Sequence, residues 1–109
     1  MTNKIVVLST CASPEEAETL ARSLVEQRLA ACVNVIPGIR SHYWWQGRLD
    51  SAAECLLLIK SSREKFEELR GALEHAHSYE IPEVIALPVV DGSLNYLNWI
   101  DLTLAAGHP

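Results

Sequence analysis

Three short runs of this chain are apolar at nearly every position: Ile5-Val6-Val7-Leu8, Leu56-Leu57-Leu58-Ile59 and Val84 to Leu87. Their β-branched content and length read as strands. A strand covered on one face alternates apolar with polar residues. These do not alternate, so both faces of their sheet must be dry. Leaving several such side chains in water forgoes about 1.5–3 kcal/mol each and exposes a patch larger than soluble monomers tolerate. The expected remedy is self-association, sheet face against sheet face, in closed cyclic symmetry. The chain therefore reads as an obligate homo-oligomer.

The segments between the runs fix the topology. Lys4 to Cys11 is the first strand. Ser13-Pro14-Glu15-Glu16 opens a helix, with Ser13 as N-cap, Pro14 at the first helical position and Glu16 closing a capping box. Ala17, Leu20, Ala21, Leu24, Val25 and Leu29 follow as one apolar stripe. Ala31 to Ile36 is the second strand. Pro37-Gly38 marks a bend or bulge, and extended structure resumes from Ile39 to Trp45. Gln46-Gly47 signals a tight turn into a return strand from about Ala53 to Lys60.

A second capping box, Ser61 to Glu64, opens a helix with Phe66, Leu69, Ala72, Leu73 and Ala76 on its apolar side. The fourth strand ends near Pro88-Val89. Ser93 then caps a final helix carrying Leu94, Leu97, Ile100 and Leu104. The order is β-α-β-β-α-β plus a short C-terminal helix, and right-handed crossovers put both main helices on one face of the sheet. That is an α+β, ferredoxin-like split β-α-β fold with a four-stranded antiparallel sheet. It is expected as one domain over residues 1–109.

The polar chemistry concentrates in HSYEIPEVIALPV, from His77 to Val89. An imidazole (His77), a phenol (Tyr79) and two carboxylates (Glu80, Glu83) stand within a few residues. Pro82 pushes Ile81 away from the α region, so the cluster is extended. Tyr43 and Trp45 share one face of the second strand. With Lys60, Tyr79, Glu80 and Glu83 they offer aromatic walls and convergent polar groups, the make-up of a small-molecule cleft or of a subunit interface. Cys32 and Cys55 read as reduced, buried small hydrophobes. His42, His75 and His108 read as exposed residues.

Several function classes are excluded or disfavoured. The net charge is −5, with scattered Lys and Arg, which offers no basic patch for nucleic acid. The run His42-Tyr43-Trp44-Trp45 lacks the flanking cations of an RNA-binding sheet. No apolar run approaches the roughly 20 residues needed to cross a bilayer, and the first residues run straight into a strand, so a cytoplasmic protein is expected. No nucleophile elbow, phosphate loop or HExxH is present, so no enzymatic activity is expected.

The segments VVLSTC, SPEEAETLA, RLAACVNVIPGIRSHYWWQG, CLLLIKS, HSYEIPEVIALPV and YLNWI, in this order, are similar to the CutA family, the divalent-cation tolerance proteins. The resemblance implies a ferredoxin-like subunit in a homotrimer, with sheets packed around the three-fold axis. It also implies association with copper and other divalent metals. Copper ligands are then expected at His77, in the HxYExPE motif, and at Cys11, near the end of the first strand. Glu80 and Glu83 would lend carboxylate support. Some members carry the cysteine where this chain has Ser9, and a second histidine where it has Ala76. The competing expectation is a trimeric scaffold or sensor that binds a small molecule or partner protein at the inter-subunit cleft.

Overall fold

A computed structural model of the chain describes residues 1–105; His108 lies outside them. The elements are β1 (Lys4–Cys11), α1 (Pro14–Glu26), β2 (Cys32–Trp45), β3 (Arg48–Ser62), a short 3₁₀ turn (Arg63–Lys65), α2 (Phe66–Ala76), β4 (Ile85–Pro88) and α3 (Leu94–Ala105). The sheet order is β2-β3-β1-β4 with every pairing antiparallel. This is the expected split β-α-β arrangement, with β1 paired centrally between β3 and β4.

One face of the sheet carries the core. Ile5, Val7 and Cys11 of β1 and Cys55, Leu57 and Ile59 of β3 pack against Leu20 and Leu24 of α1 and Leu69 and Leu73 of α2. Both helices thus lie on the same side. α3 makes a second, smaller cluster through Ile100 and Leu104 against Ala31. A 2.9 Å ion pair from Lys4 to Asp101 also ties it down.

The opposite face is apolar and uncovered. Leu8 pairs with Leu58 on one side and Ile85 on the other, and Val6 pairs with Leu87. Ile85 and Leu87 stay 49% and 48% exposed, while Val6, Leu8, Leu56 and Leu58 are half-buried. A chain with apolar residues on both sides of its strands thus covers one side alone.

The hairpin of β2 and β3 runs far past the end of β1, whose last pair is Cys11 with Cys55. Its turn puts Gln46 at φ 51° and Gly47 at φ 77°, so two left-handed residues match the twist of the strands. Pro37-Gly38 makes the expected irregularity, between Ile36 and Ile39. The return strand starts at Arg48 rather than Ala53, because the ladder with β2 holds even its polar first residues.

Four other expectations are corrected. The Ser61–Glu64 capping box does not form. Pairing with Lys4 and Ile5 keeps Ser62 and Ser61 in β3, where the Ser61 hydroxyl donates to Leu29 O at 2.7 Å. Glu64 accepts instead from Asn3 Nδ2 at 2.9 Å. Ser13 does cap α1, accepting from Glu16 N at 3.1 Å, but Glu16 reaches past it to Ala12 N at 3.4 Å. Ala76 is exposed, because α2 ends there and the chain leaves the core. Cys32 is only half-buried, since it stands at the start of an edge strand opposite Lys60.

Candidate functional site

The residues after α2 are held by bonds to β1 and α1. His77 has extended backbone (φ −74°, ψ 145°) and a ring with no exposed surface. Its Nε2 meets Thr10 O at 2.7 Å. A carbonyl can only accept, so Nε2 carries the proton. Nδ1 is then the acceptor, and it takes the Tyr79 N–H at 3.0 Å. Both ring nitrogens are occupied, and the imidazole clamps the loop onto the end of β1.

Glu16 supplies the second clamp. Its carboxylate accepts from Ser78 N at 2.9 Å and Ser78 Oγ at 3.0 Å, and lies 3.7 Å from His77 Nδ1. Burial alone would raise its pKa. The bonds from Ser78 and Ala12, together with the nearby imidazole, outweigh that and leave it below the ordinary carboxylate value. The role of Glu16 was hidden in the sequence, where it reads only as a helix-capping residue.

Cys11 is fully buried one residue beyond Thr10, and its Sγ lies 3.8 Å from Ser13 O. Burial, with smaller contributions from Glu16 and from Cys55 on the facing strand, pushes its thiol up to about 11. It is therefore a protonated thiol. The Ser9 hydroxyl is also fully buried and has no hydrogen-bond partner among the described residues.

Tyr79 turns the other way. Its ring lies 4.7 Å from that of His77, and its hydroxyl donates to Glu54 Oε2 at 2.6 Å. Burial, and then the Glu54 carboxylate, raise the phenol's pKa well above its usual range, so it keeps the proton it donates. Glu54 sits on β3, 8% exposed.

Beyond this pair opens a cavity of about 510 Å³, between one face of the hairpin and the loop leading to β4. Tyr43, Trp45 and Tyr79 give it aromatic walls; Asp50, Glu54, Glu80 and Glu83 give it four carboxylates, and no Lys or Arg lines it. Five of the six residues expected in the cleft are thus brought together. The sixth, Lys60, is not among the lining residues; six positions along β3 from Glu54, about 20 Å of strand, its ammonium meets Asn34 Oδ1. Asp50 and Glu54 were missed. Their signal was register, because Asp50 faces Tyr43 across the hairpin.

No set of three His, Cys, Asp or Glu side chains among the described residues is arranged to hold a metal ion. His42 and His75 are exposed, as expected.

The four-stranded sheet, the long hairpin and the clamped HSYE loop define a ferredoxin-like fold built around one end of β1. Residues 5–103 match the family described as CutA1 divalent ion tolerance protein, and the chain belongs to that family. It is 46% identical over 95 residues to a divalent-cation tolerance protein CutA of Thermus thermophilus, covering 87% of this chain and 92% of that one. It is 45% identical over 96 residues to a rice protein named CutA 1, chloroplastic, covering 88% of this chain and about half (54%) of the rice protein. A solved structure of the periplasmic divalent cation tolerance protein CutA from Archaeoglobus fulgidus superposes with a TM-score of 0.90. It is 40% identical, covering 93% of this chain and 98% of that one. No helix among the described residues is long and apolar enough to cross a membrane.

Proposed function

We propose that this protein binds and handles divalent cations as a homotrimer, with copper as its preferred ion and the metal as cargo rather than resident cofactor. The observation that carries the reading is the family match over residues 5–103. The donor types suit copper: the Cys11 thiol, its cross-strand neighbour Cys55 and the His77 imidazole all belong to the end of β1, although as folded they form no ready three-donor set. Thiolate suits Cu(I) and imidazole suits Cu(II).

As folded, these donors are closed. Copper there has to displace the thiol proton and free a ring nitrogen of His77 from Thr10 or Tyr79. Such a site would be selective for ions that bind thiolate strongly enough to repay that cost. The trimer is supported by the open apolar face of the sheet, and three unpaired cysteines suit a reducing cytosol. The protein reads as a binder rather than a catalyst. Glu80 and Glu83 are both exposed, whereas an acid/base pair needs environments that separate its pKa values.

Titration of the intact oligomer with Cu(I) and Cu(II) against a competing chelator tests this, with Cys11→Ser and His77→Ala alongside. Saturation near one ion per chain, weakened at least about tenfold in each variant, is expected. Non-saturating binding, or binding indifferent to both substitutions in folded protein, contradicts the assignment.

A further inference from the structure

The cavity beside Tyr79 is unexplained by a copper site at Cys11 and His77. Its key residue is Glu54. This carboxylate is more than nine-tenths buried, lines the cavity, and receives one hydrogen bond, from Tyr79, on Oε2. Its other oxygen makes no hydrogen bond among the described residues, and no cationic side chain among them lies within ion-pair distance. A mostly buried carboxylate with one oxygen open to the cavity and no positive partner favours a cation beside it.

Geometry selects the kind of cation. A bare metal ion needs several donors converging on one point, and no such group exists among the described residues. The carboxylates are instead spread around a space of about 510 Å³, many times the size of an ion. Tyr43, Trp45 and Tyr79 give it aromatic faces, beside Thr10, Ser41, His42 and Ile81. Aromatic faces attract organic cations, and a guanidinium fork matches a carboxylate through two parallel N–H···O bonds. We propose that this cavity is a receptor for a small alkylguanidinium-type cation, anchored on Glu54 and stacked against the aromatic wall.

The test is calorimetric titration of the native protein with 1-butylguanidinium and with butylurea, its neutral analogue of nearly the same shape. Saturable binding of the guanidinium near one per chain is expected, with the urea at least about tenfold weaker. Glu54→Gln still accepts the Tyr79 hydroxyl, so it should keep its melting temperature and lose guanidinium affinity at least about tenfold. Trp45→Leu, on the exposed hairpin, should weaken both probes. The proposal is overturned by equal binding of the two probes, by wild-type affinity in Glu54→Gln, or by no saturable binding at millimolar concentration. Stoichiometric displacement of the guanidinium by calcium would also overturn it, since the carboxylates would then serve an inorganic ion. Copper binding that persists in Glu54→Gln separates this site from the metal site.

Discussion

Glu16 belongs to the first turn of α1, yet its oxygens serve Ala12 and Ser78, and so hold the HSYE loop against β1. Its folded-state pKa is depressed below the ordinary value of 4.5. The stabilisation it provides is therefore present above its unfolded pKa and lost as pH falls through the lower folded one. Urea midpoints measured from neutral pH down to about 3 should fall on acidification in the parent protein. They should fall less steeply in Glu16→Gln, and parallel slopes would show that the clamp does not titrate. The capping pattern around Ser13 is a local signal and was legible from spacing alone. A bond between positions 62 apart leaves no such trace, and neither does the pairing of Tyr79 with Glu54, 25 positions away.

At the scale of elements, strand and helix order followed from apolar runs and turn residues, but two ends did not. β3 begins five residues before the expected Ala53, because residues of modest β-propensity are carried by a partner strand already in register. At its other end the same cause overrode a helix-start motif, since Ser61 and Ser62 pair with β1. Tertiary pairing decides both cases, and pairing is not visible in a local window. The hairpin turn is where one residue matters most. Gly47 sits at φ 77° with nothing near its missing Cβ, so a substitution there acts through the backbone and not through crowding. Gly47→Ala should cost about 1–2 kcal/mol, read as a lower denaturation midpoint at unchanged m. No change would mean that the turn relaxes to another type.

For the whole molecule, the central matter is the sheet face that α1 and α2 leave open. Its apolar character was legible from three runs that fail to alternate, and the structure places Val6, Leu8, Leu58, Ile85 and Leu87 together on it. Which surface of a neighbouring copy would close over it in the proposed trimer is a property of that assembly, and one chain's sequence does not encode it in any local pattern. Leu58 stands at the middle of this face, between Leu8 and Asn34. Its replacement by Glu should dissociate the assembly, since an unpaired charge cannot be buried there. The most direct measurement is native mass spectrometry of the unmodified protein at micromolar concentration. A species at three times the 12.1 kDa chain mass, collapsing to one chain mass in Leu58→Glu, is the predicted result. A stable species at a single chain mass, with the open face left in water, would contradict the account.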